Sequence, residues 1–131
     1  MVQITEDYVS FETAKLLKEK GFDEATYHDY TPNGARWFEE VLVRHNSQGG
    51  IACPTLQMAM KWLREVHKMF IGISVCERYE VPTDEETKIM YFFEMLDLKE
   101  KNLINNVSQE YMVTYEGACE AAIKYCLENL I

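Results

Sequence analysis

The clearest helical period in the chain runs through PTLQMAMKWLREVH, residues 54–67. Leu56, Ala59, Met60, Leu63 and His67 fall on one face at helical spacing, with Trp62 at its edge and Arg64 and Glu65 pointing away. Pro54 blocks extension upstream, and the Thr55 hydroxyl is placed to cap the first turn. Two further stretches carry the same signature. In SFETAKLLKEKGF, Phe11, Ala14 and Leu17 form a stripe flanked by Leu16. Ser10 is the N-cap, and Gly21 is placed for a left-handed stop with Phe22 folding back on the last turn. In TYEGACEAAIKYCLENLI, Thr114 is the N-cap and Ala118, Ala122, Tyr125 or Cys126, and Leu130 make the stripe. Gly117 weakens the first turn.

Between these helices the period shortens to two. Pro32-Asn33-Gly34 is turn chemistry, flanked by aromatic and β-branched residues, so a hairpin of Thr26–Tyr30 with Arg36–Val43 is expected. Met69, Ile71, Ile73 and Val75 alternate with Phe70, Gly72, Ser74 and Cys76. Across the charged loop VPTDEET lies a second apolar run, KIMYFFEMLDL, which completes a second hairpin. Segment 99–113 shows no clear period; it accommodates a short strand near Tyr111–Val113 or a long connection. The order α-ββ-α-ββ-α predicts an α+β fold, two layers deep, with helices on an antiparallel sheet of about four strands.

Three of these patterns resemble a group of small uncharacterised proteins encoded in Bacteroidetes genomes, phages and mobile elements. The matching residues are Ala14 to Phe22 in the first helix; Pro54, Thr55, Trp62, Arg64 and Glu65 in the second; and Thr114, Tyr115, Glu116, Ala118, Ala121, Ala122, Leu127 and Glu128 in the third. Gly117 departs from the acidic residue usual at that position. The resemblance implies a compact α+β fold in a bacterial or phage cytoplasm. It implies no catalytic residue, because the group has no assigned activity.

At 131 residues the chain suits one domain, and it can bury about two-thirds of its unfolded surface without a metal or disulfide. No apolar run reaches the roughly 18 residues of a membrane span, and Glu6 and Asp7 stand where a signal peptide would be basic. The net charge of −9 and the absence of a Lys/Arg cluster argue against direct nucleic-acid binding. The four cysteines form no Cys-x-x-Cys pair, so they read as buried free thiols. A metal site from Cys53, His67 and Cys76 would lack the paired spacing of zinc ligands. No cofactor is implied.

Reactive constellations are missing from the pattern. His28, His45 and His67 accompany no serine elbow, Gly49-Gly50 lacks a phosphate-loop lysine, and Glu39-Glu40 would point to opposite faces of a strand. The hairpin aromatics Tyr27, Tyr30, Trp37, Tyr91 and Phe93, with Tyr79 beside them, are candidates for a protein-contact or homodimer surface on the sheet face away from the helices. The expectation is a non-enzymatic binding or regulatory module. The alternative is a small-molecule-binding protein or enzyme, with a pocket between helix 54–67 and the sheet near Trp62, His67 and Cys76.

Overall fold

The computed structural model describes residues 3–104 and 110–131. Its elements are α1 (Phe11–Glu19), β1 (Thr26–Tyr30), β2 (Arg36–Val43), a 3₁₀ turn (His45–Gln48), β3 (Ile51–Ala52), α2 (Leu56–Val66), β4 (Met69–Arg78), β5 (Lys88–Asp97), β6 (Asn102–Leu103) and α3 (Tyr115–Asn129). Each helix begins where its cap dictates. The hydroxyls of Ser10, Thr55 and Thr114 accept the amides of Thr13, Met58 and Gly117 at 3.0–3.2 Å. Gly21 takes φ +94°, and the Phe22 and Gly21 amides return to the Leu17 and Lys18 carbonyls, closing α1 in a Schellman motif.

The fold is α+β and antiparallel throughout, but it has two three-stranded sheets instead of one layer of four strands. Their orders are β2-β1-β3 and β4-β5-β6. The reason is local. Loop residues 44–50 fold back so that Ile51 and Ala52 pair with Tyr30 and Asp29, filling the edge of β1 that β4 would have needed. Three bonds hold that return in place. Asn46 donates to the Phe22 carbonyl at 2.5 Å and accepts the Ala52 amide at 2.8 Å, and Lys18 Nζ donates to the Gly50 carbonyl at 2.6 Å.

The β4–β5 ladder runs through ten consecutive pairs without a register break, from Met69 opposite Asp97 to Arg78 opposite Lys88. One face carries Met69, Ile71, Phe93 and Met95 into a cluster with Trp62 and Leu63 of α2 and Cys119, Ala122, Ile123, Cys126 and Leu127 of α3. Val9, Leu17, Phe22, Ala52 and Cys53 extend the same cluster to α1 and β3. Segment 7–9 threads this junction: Val9 N–H donates to the Pro54 carbonyl, and Leu56 N–H to that of Asp7. In the segment that showed no period, Asn102–Leu103 pairs with β5 and Met112 exchanges two 2.7 Å bonds with Tyr91. Residues 105–109 lie outside the described residues. No helix among the described residues is long and apolar enough to cross a membrane.

Candidate functional site

The β1–β2 hairpin is shaped by its turn. Gly34 N–H donates to Thr31 O and Thr31 N–H to Ala35 O, with Gly34 at φ +89°. This is a type I turn followed by a left-handed residue. Beyond Phe38 the pairing slips: His28 faces Phe38, but Thr26 faces Val43, so residues 39–42 bulge outward opposite Tyr27 alone.

The consequence is a strand with almost no burial. Every residue of β2 is exposed except the half-buried Val43. Trp37, Phe38, Val41 and Leu42 leave 61%, 62%, 65% and 56% of their surface in solvent. Among the described residues no strand pairs with the outer edge of β2. Glu39 and Glu40 stand in the bulge, and none of the ion pairs formed among the described residues includes them.

Rings give the hairpin its stiffness. The Arg36 guanidinium lies 4.5 Å over the Tyr8 ring, Tyr8 meets His28 at 4.3 Å, His28 meets Phe38 at 5.2 Å, and Phe38 meets Tyr27 at 6.2 Å. Burial and the Arg36 charge hold the His28 pKa below the usual imidazole value against the opposing pull of Asp29, so this stack carries a neutral ring at pH 7. Beneath it, between the hairpin and the start of α2, lies an apolar hollow of about 180 Å³. Tyr8, Tyr27, His28, Leu42, Cys53 and Met58 line it. Burial pushes the Cys53 thiol up to about 11, so the hollow holds no ready nucleophile.

The other titratable groups serve the scaffold. His45 is buried; its Nε2–H donates to the Thr26 carbonyl at 3.1 Å while Nδ1 lies 3.7 Å from Asp29 Oδ2, which fixes the loop to β1. Tyr30 donates to the Val9 carbonyl at 2.6 Å, and burial raises its pKa. Among the described residues no group of three His, Cys, Asp or Glu side chains could hold a metal ion.

The structure divides the residues singled out from sequence. Trp62 and His67 do meet, edge to face at 4.7 Å, and burial and nearby Lys20 lower the His67 pKa. His67 closes α2 as its C-cap. Cys76 does not join them. The unbroken register gives it the parity of Phe70 and Ser74, on the sheet face opposite the helices. Tyr27 and Trp37 are exposed, Tyr30 is tied inward, and Tyr91 stands edge-on to Tyr115 at 6.2 Å. Phe93 is corrected outright: at 4% exposure it packs under the helices beside Tyr125, because it shares the face of Met95. Phe38, Leu42 and Met58 complete the exposed surface and were not singled out. The doublets Trp37-Phe38 and Val41-Leu42 were the available signal, since neighbours on a strand cannot share a buried face. No protein-family model, curated protein or solved structure matches the chain.

Proposed function

We propose that this chain is a binding module that grips a protein partner with its β1–β2 hairpin. One observation carries the reading: an eight-residue strand displays four large apolar side chains on both of its faces. Covering one such side chain is worth about 1.5–3 kcal/mol. Large apolar side chains left exposed together on one strand mark a contact site. The partner is basic as well as apolar, because unpaired Glu39 and Glu40 rim the strand and the whole chain carries −9. The hollow between the hairpin and α2 receives one apolar side chain of the partner as an anchor. The setting belongs to the same reading: a bacterial or phage cytoplasm, as the resemblance of the helix motifs implies.

The test is to pan a random-peptide library against the wild-type chain and against Trp37→Ser/Val41→Ser. Both side chains are exposed, so the double variant should keep its far-UV spectrum and urea midpoint. Peptides enriched on the wild type should mix lysine or arginine with large apolar residues and should be lost on the variant. Recovery of the same peptides on both proteins refutes the assignment.

A further inference from the structure

A second open edge lies on the other sheet, and it differs from β2 in kind. In the β4-β5-β6 sheet, β4 is the outer strand, and among the described residues nothing pairs with its free side. Hydrogen bonds on both sides of β5 fix which groups point outward. Leu98 N–H donates to the Lys68 carbonyl, which makes 68 and 98 a bonded pair. Alternation then assigns the even residues of β4 to bonds with β5. On β5, Tyr91 bonds Met112 and the Met95 carbonyl accepts from Ile104, so its odd residues face away from β4, as the same alternation requires. Met69, Ile71, Ile73, Val75 and Glu77 therefore aim their amides and carbonyls out of the sheet.

Folded monomers blunt such edges with lysine, proline, a bulge or a very short strand. β2 is blunted, by the bulge at 39–42 and its two glutamates. β4 carries charge only at its end, at Glu77 and Arg78. Residues 69–76 contain no charge and no proline, and the ladder is unbroken over ten residues. Phe70 and Val75 remain 41% and 58% exposed.

We propose that two copies of this chain pair antiparallel along β4, joining their sheets into one six-stranded sheet. Self-pairing is the occupant that charge favours. Two chains of −9 repel almost everywhere, but residues 70–76 are neutral and meet residues 70–76 of the other copy. With the two-fold axis on Ile73, outward groups meet outward groups: Ile71 faces Val75 and Met69 faces Glu77 of the other copy, while Phe70 lies opposite Cys76. No carboxylate faces a carboxylate, and the one like-charge pairing, Lys68 with Arg78, falls at the ends of the ladder. The pairing uses the other sheet from the β1–β2 hairpin, so its test is independent of the proposed partner site.

The measurement is light scattering on the full chain at micromolar concentration, joined to amide exchange by NMR. The expected mass is twice 15.4 kDa, with slow exchange at Met69, Ile71, Ile73 and Val75. Val75→Pro removes only an outward N–H and an exposed side chain, so it should give a folded monomer. A monomeric wild type overturns the proposal. So does a dimer in which those four amides exchange freely. The exchange readout needs no variant, so the outcome does not depend on whether Val75→Pro folds.

Discussion

Replacing Gly34 with alanine isolates one contact between the hairpin turn and the helical layer. Gly34 sits at φ +89°, where a side chain costs about 1–2 kcal/mol from backbone crowding alone. A Cβ there would also stand 3.1 Å from Phe11 Cδ2 and 3.4 Å from Cε2 and Cγ. Phe11 is only partly buried, but it packs on Tyr30 at 5.3 Å and holds Lys15 over its ring at 4.6 Å, so its shift disturbs two further contacts. Gly21→Ala is the matched control: φ is +94° and nothing lies within 4 Å of the added carbon. The control should lose about 1–2 kcal/mol, and Gly34→Ala roughly 0.5–1 kcal/mol more, an off-rotamer cost for the displaced ring. In urea, with a slope of about 1–3 kcal/mol per M, a total near 2 kcal/mol lowers the midpoint by around 1 M. Equal losses in the two variants would show that the turn does not rest on Phe11, and the hairpin's attachment would then need another account.

Two further predictions concern protonation and thiols. The depressed pKa values of His28 and His67 mean that the unfolded chain takes up protons more readily than the native one, so stability should hold above pH 6.5 and fall as pH drops below it. A His67→Gln variant should show a shallower fall, read from urea midpoints across that range; an unchanged slope refutes the assignment. Of the four cysteines, Cys53, Cys119 and Cys126 are buried and Cys76 is partly open. Burial pushes the Cys126 thiol up to about 11. A colourimetric thiol reagent should label one cysteine quickly under native conditions and the other three only on unfolding, and Cys76→Ser should abolish the fast phase.

Local chemistry made the helices and the first hairpin readable. Ser10, Thr55 and Thr114 cap as their side chains dictate, and the Pro-Asn-Gly turn lies between strands with the expected ends. Those features depend on neighbours within four or five residues. The split into two sheets does not. It follows from Ile51 and Ala52 taking the inner edge of β1, two residues too short to show a period. The face of Phe93 was illegible for a related reason. In Tyr91-Phe92-Phe93 both faces of the strand are aromatic, and only the helices covering Met95 decide which ring is buried. Cys76 fell on the wrong side by the same parity. The exposed surface of β2 is a tertiary outcome too: nothing in Arg36–Val43 announces that no layer will cover it.

Segment 7–9 has a consequence for how the chain is made. It is synthesised before its fixed partners, Pro54 and Leu56, which come some 45 residues later, and the neighbouring Ser10 amide waits for the Glu120 carboxylate on α3. Its closure is therefore a late, long-range step. Until α3 has emerged, Val9 stays wet, and the nascent molecule should remain open to proteases around segment 7–9 after its hairpins have formed.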